Sequence, residues 1–220
     1  EGPTAAPTTE APAPTPTTEA PSPSPSEDAS KCSANLRSSD STLEHCCPLK
    51  IGSKTVGVSW TLSSDTLDME IRSEIDGYLS LGFASSVGIM SGTDAIIAYK
   101  DSSSAMQIGA YTLQGHGSPS ISDAKSNYFT GTPTAQHDGT IMSARFKRSL
   151  IVSNGQNIDA ESGNSINLAY HLSSGVNGNY FPHHTSRSSV FIDFNTGCAQ
   201  VELKSKSSWV PIYVAAPILV

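Results

Sequence analysis

Between Val56 and Phe194, apolar residues recur at every second position in short runs, and this alternation restricts the possible folds more than any other feature of the chain. Val56, Val58 and Trp60 alternate with polar residues, and Leu62 continues the run; Leu67, Met69 and Ile71 alternate again, as does the stretch 78–83. Period two sends successive side chains to opposite faces of an extended strand, so each segment reads as a strand. Ser-Ser-Asp and Asp-Gly turns separate these runs, and further strands are predicted over 93–99, 106–113, 140–146, 166–171 and 190–194. No convincing amphipathic helix interrupts them. About ten short strands at roughly ten-residue spacing predict an all-β, immunoglobulin-like antiparallel β-sandwich.

The sandwich does not use the whole chain. Residues 1–30 are almost entirely Pro, Thr, Ser and Ala with scattered Glu, and Thr8-Thr9-Glu10-Ala11-Pro12 recurs as Thr17-Thr18-Glu19-Ala20-Pro21. Such a stretch has no apolar groups to offset its ordering entropy, so a disordered N-terminal stalk is expected. Its prolines favour an extended polyproline-like spacer, and its hydroxyls are candidate O-glycan sites. The sequence begins on Glu1-Gly2-Pro3 without Met, as expected of a mature or excised segment that has lost a signal peptide. Residues 209–220 are almost wholly apolar but too short to span a bilayer. They read as a final buried strand or as the truncated start of a membrane or anchor segment. The folded domain is therefore placed at 31–208.

Charge and cysteines narrow the setting. A net charge of −7 with no basic stripe argues against a nucleic-acid partner, and no Lys/Arg block is present to hold an acidic membrane surface. The four cysteines, Cys32, Cys46, Cys47 and Cys198, form no C-x-x-C pair, which disfavours a zinc cluster and excludes the C-x-x-C-H signature of covalent haem. An even count beside a mucin-like stalk predicts two disulfides in a secreted or cell-surface protein. The neighbours Cys46 and Cys47 take different partners in this reading, one bonding Cys32 and the other Cys198.

Three segments carry a family resemblance. The first is Gly77-Tyr-Leu-Ser-Leu-Gly-Phe-Ala84 followed by Met90-Ser-Gly-Thr-Asp-Ala-Ile-Ile-Ala-Tyr99. The second is Phe146-Lys-Arg-Ser-Leu150. The third is Ile166-Asn-Leu-Ala-Tyr170, a Gly/Asn loop, and then His183-His184 ahead of Ser188-Ser-Val-Phe-Ile-Asp-Phe194. In this order they resemble the DOMON domain family, β-sandwiches of secreted and cell-surface redox proteins, over roughly residues 45–200. The chain departs from the family at Arg187-Ser188, where many members have Arg-Gly, so the histidine register stays open.

The resemblance implies a non-covalent haem b, with iron held by Met90 and by either His183 or His184. It further implies an extracellular b-type cytochrome domain that moves single electrons. The redox partner would be another protein or a membrane cytochrome or flavin domain. A thioether and an imidazole fill both axial positions, which suits electron transfer, and methionine favours ferrous iron. Gly88 and Gly92 flank Met90 and permit a tight turn. Phe83, Tyr99 and Tyr180 are candidates to pack on the macrocycle.

Other sites carry less weight. His116 and His137 read as exposed turn residues, His45 as structural or exposed, and His171 as an outside alternative for iron, while Asp94 is a candidate loop-stabilising acceptor. Nucleophile-elbow, metalloprotease, phosphate-loop and dinucleotide motifs are all missing, so the chain reads as an electron-transfer or binding domain more than a catalyst. Two alternatives remain. One is a haem-free module binding carbohydrate or a small ligand through exposed aromatics such as Tyr78, Tyr180 or Trp209; the other is an adhesive ectodomain.

Overall fold

The computed structural model describes residues 32–114, 125–173 and 181–195, and the backbone of 197–201. Eleven strands are present among them: β1 (His45–Ile51), β2 (Lys54–Leu62), β3 (Thr66–Ser73), β4 (Tyr78–Ala84), β5 (Asp94–Lys100), β6 (Met106–Thr112), β7 (Thr134–His137), β8 (Met142–Ser149), β9 (Asn164–His171), β10 (Ser186–Asp193) and β11 (Gly197–Val201). They pair antiparallel into two sheets, one ordered β1-β2-β3-β8-β7 and the other β11-β10-β9-β4-β5-β6. The expected β-sandwich is therefore the fold.

The alternation sets the facing. Val56, Val58 and Trp60 of β2, Leu67, Met69 and Ile71 of β3, and Leu79, Leu81 and Phe83 of β4 all enter one core between the sheets. Trp60 is fully buried, and its indole nitrogen donates to the Phe194 carbonyl at 3.0 Å, so its polar end is satisfied at the sheet-to-sheet interface.

Eight strands lie where the period predicts them; β1, β7 and β11 do not announce themselves. β1 contains Cys46-Cys47-Pro48, and a proline is tolerated there because β1 is an edge strand. β7 is only four residues, Thr-Ala-Gln-His, and has no apolar alternation to read. Residues 1–31 and 202–220 lie outside the described residues, and with them the predicted stalk and the apolar segment 209–220.

A strap formed by residues 33–43 crosses the outer face of the five-stranded sheet. Cys32 is bonded to Cys46 of β1, one of the expected pairings. Ser38 donates from its backbone to Ser59 Oγ (3.2 Å) and from its hydroxyl to the carboxylate of Glu70. Arg145 of β8 holds Asp40 of the strap and Asp68 of β3 together. Gly57 is required beneath the strap, because a Cβ there would lie 2.1 Å from the Leu36 carbonyl oxygen. Cys47 is also disulfide-bonded, and no described cysteine is free. The side chain of Cys198 lies outside the described set, on a strand that runs beside β1.

Candidate functional site

The six-stranded sheet is buried on both faces at β4 and β5, so something covers its outer side. Odd–even facing explains what needs covering. Leu79, Leu81, Ile96 and Ala98 point into the core, which leaves Tyr78, Ala95, Ile97 and Tyr99 outward, joined by Tyr111 of β6. Phe181 sits among the three tyrosines, with ring centroids 5.8, 5.0 and 5.4 Å from Tyr78, Tyr99 and Tyr111, each in an edge-on or steeply inclined contact. Tyr78 Oη donates to the Pro182 carbonyl at 3.1 Å. Burial pushes the Tyr78 and Tyr111 hydroxyls well above the ordinary tyrosine range, so both stay protonated. These contacts hold the start of the segment 181–184, which carries the two histidines.

His183 and His184 stack on each other with centroids 4.2 Å apart. His183 is exposed, with Nδ1 3.1 Å from the His184 carbonyl, while His184 is half-buried. The chain then enters β10 with Thr185 donating to the Tyr170 carbonyl at 2.7 Å.

Met90 reaches this same face from the turn between β4 and β5. Gly88 (φ +80°) and Gly92 (φ +78°) both adopt left-handed backbone, as a tight reversal around Met90 demands. Thr93 N donates to the Met90 carbonyl at 3.0 Å, and Arg187 Nη1 of β10 lies 3.4 Å from the half-buried Met90 sulfur. The turn thus rests against the strand that begins two residues after His184.

Asp94 and Arg148, from the first and second resembling segments, meet on the core side of the turn. Asp94 is buried, accepts from Gln156 N (2.5 Å) and Tyr128 Oη (3.4 Å), and pairs with Lys125. Arg148 is fully buried and donates to the Tyr128 hydroxyl, the Ser149 carbonyl (3.0 Å) and the Gln156 carbonyl (2.6 Å). Its guanidinium carbon lies 4.7 Å from both the Phe83 and Tyr128 ring centres, and burial lowers its pKa. Gln156 Nε2 donates on to the Gly92 carbonyl at 3.0 Å, which links this cluster to the Met90 turn. Asp94 is therefore the loop-stabilising acceptor expected of it.

Other expected residues fall elsewhere. Phe83 points into the core under Arg148 and is not part of the outer aromatic face, because its position in β4 has the opposite parity to Tyr78. Tyr99 does lie on the outer face, and Tyr78 is buried there at 5% exposure, so it is no exposed platform for a sugar. Tyr180, His116 and Trp209 lie outside the described residues. His137 is not an exposed turn residue: it ends β7 with its ring 9% exposed, Nε2 lying 3.1 Å from the Ile75 carbonyl and 3.4 Å from Asp76. His45 stacks on Trp60, and His171 stacks on Tyr78 at the end of β9. No group of three or more His, Cys, Asp or Glu able to hold a metal occurs among the described residues. Two open hollows of about 450 and 440 Å³, one beside Lys125 and the other beside His137, lie apart from Met90 and the histidines.

Tyr111, Phe181 and Asn167 belong to this face and were not singled out from sequence, and Arg187 stood out there only as part of a departure from the family pattern. Tyr111 could have been found by carrying the parity of Tyr99 across to β6. Phe181 had no signal, because it stands in irregular chain.

The two antiparallel sheets define the class as an all-β sandwich, and the chain belongs to the DOMON family. The family's model, described as the DOMON domain, matches residues 52–173. Among solved structures, the chain is similar to the cytochrome b domain of pyranose dehydrogenase from Coprinopsis cinerea, with a TM-score of 0.52 and 12% identity, covering 69% of this chain and 84% of that one. It also matches the cytochrome domain of Myriococcum thermophilum cellobiose dehydrogenase, with a TM-score of 0.48 and 9% identity, covering 70% and 85%. At 12% identity the likeness to the pyranose dehydrogenase domain is one of fold. No curated protein matches the chain. A disulfide in a DOMON domain fits an extracellular location, and among the described residues no helix is long and apolar enough to cross a membrane.

Proposed function

We propose that this domain carries single electrons outside the cell through a non-covalent haem b held by Met90 and one of His183 and His184. The observation that carries the reading is the convergence of Met90 on the start of β10, beside the Tyr78–Tyr99–Tyr111 face and directly after the histidine pair. The donor set fits the group: a neutral thioether and two imidazoles, with Phe181 and the three tyrosines as an apolar backing behind the histidine segment. The solved cytochrome b domain of similar fold lends support of a coarser kind.

When bound, a haem would supply a reversible one-electron couple, and Met90 with one of His183 and His184 would hold it, a donor set suited to electron transfer. The chain's own residues do the rest. Tyr78 and Phe181 fix the approach of the histidine segment, and Tyr99 and Tyr111 exclude water from its underside. If His183 is the ligand, the His184 carbonyl 3.1 Å from its Nδ1 would orient the ring. In this reading residues 1–30 are an O-glycosylated spacer, 31–208 the electron-carrying domain, and the partner a redox protein such as a membrane cytochrome or flavin domain.

The test is the visible spectrum of the full chain, expressed with added haem, before and after dithionite. A sharp Soret band with narrow α and β bands on reduction is the expected result. Met90→Ala removes the low-spin spectrum while leaving the β-sheet circular dichroism unchanged. A featureless wild-type spectrum, or an unaltered one in Met90→Ala, would overturn the assignment.

A further inference from the structure

One side chain on β9 ties the Met90 turn to the sheet. Asn167 Nδ2 donates to the Ile89 carbonyl at 2.6 Å and lies 3.3 Å from Thr93 Oγ1. Its other atom, Oδ1, accepts from Ser189 Oγ of β10 at 2.7 Å. Thr93 Oγ1 donates to the same Ile89 carbonyl at 2.8 Å. One amide therefore joins the residues on both sides of Met90 to the strand that carries Arg187 and follows the histidines.

The surrounding registry makes the contact possible. Asn167 pairs with Gly82 of β4 on one side and with Ser189 on the other, so all three stand in one row across the outer face. Gly82 leaves that row open: a Cβ there would lie 2.5 Å from Thr93 Cγ2, and the turn would have to lift. The glycine of the Gly82-Phe83 pair thus lets the turn lie down, and Asn167 pins it once down.

A neutral amide suits both jobs here, since it donates at one end and accepts at the other. A carboxylate would face the Ile89 carbonyl with no proton to give. An aliphatic side chain would remove the Ser189 contact and leave the Ile89 carbonyl with Thr93 Oγ1 alone, cutting the turn from β9 and β10.

We propose that Asn167 is the positioning residue that sets Met90 against the histidine strand, by clamping residues 89 and 93 to Ser189. The role rests on the haem-ligand reading of Met90 for its purpose, though the clamp itself is a property of the protein without cofactor. Asn167 touches neither iron nor macrocycle in this assignment and acts through Met90.

The experiment uses Asn167→Leu and Ser189→Ala in the full chain. Amide hydrogen exchange is followed over 88–94 without haem, and the haem-loaded proteins are compared by spectrum and midpoint potential. In Asn167→Leu, exchange in the turn accelerates at least tenfold while that of β3 and β8 does not move. With haem, the methionine-to-iron charge-transfer band weakens and the potential falls, while histidine ligation persists. Ser189→Ala, which removes one arm, gives a smaller change of the same sign. Unchanged exchange over 88–94 in Asn167→Leu overturns the proposal, as does faster exchange with full methionine ligation retained. A wild-type chain that takes up no haem overturns the cytochrome reading instead, and the exchange data then decide the clamp alone.

Discussion

Arg148 brings a positive charge into the space between the sheets, where it is fully buried against Phe83 and Tyr128. Removing one member of a buried charged network is expensive, because the groups left behind keep their desolvation cost without their partner. Here those groups are the Tyr128 hydroxyl and the carbonyls of Ser149 and Gln156, with Asp94 next in line through Tyr128. Arg148→Met is expected to lower unfolding free energy by about 3–5 kcal/mol in urea titrations. Arg148→Lys recovers little of it, since a compact ammonium lacks the planar fork that reaches separated acceptors while stacking on two rings. A loss below about 1 kcal/mol would contradict this account. The sequence shows why such a residue is hard to read in advance. Positions 142, 144, 146 and 148 share the inward parity of β8, and parity alone assigns an apolar residue to the fourth. Only the resemblance of Phe146-Lys-Arg-Ser-Leu150 marked the position. The Met90 turn was more legible, because two flanking glycines announce a reversal whatever the turn is for.

At the scale of elements, the strap over β2, β3 and β8 is held by polar contacts as well as by buried Leu36 and Leu43. Asp40 of the strap has its pKa pushed well below the usual carboxylate range of about 3.8, first by the hydrogen bond from Arg145. A depressed folded pKa means stabilisation that is fully present above the unfolded value and is lost as pH falls through the folded one. Arg145→Gln should therefore reduce the urea midpoint at pH 6, and the deficit relative to the parent should shrink by pH 3. An equal deficit at both pH values would show that Asp40 titrates independently of Arg145. The strap itself was not foreseen, since Ser33, Asn35, Ser38 and Asp40 form contacts that no periodicity encodes. The strands with clear alternation were legible. β1 and β7 were hidden, one by its cysteines and proline, the other by its brevity.

For the whole molecule, the remaining issue is what binds the first strand to the last. Cys47 is disulfide-bonded, points into the core from β1, and lies on the strand that β11 runs beside. We expect its partner to be Cys198, which would close almost the entire domain into one loop. Cys198→Ser should then release a single thiol under denaturing conditions, and digestion of the alkylated variant should place it at Cys47. The unfolding free energy should drop by about 2–5 kcal/mol. A thiol found at Cys32 or Cys46 would refute the pairing. The strap has a consequence for how the molecule is presented. Cys32 attaches to β1 on the sheet opposite the one that carries Met90 and the histidines. Whatever precedes Cys32 thus meets the domain on its far side, and tension arriving along the chain passes through a covalent sulfur bond into β1. The methionine turn lies off that path, on the opposite sheet.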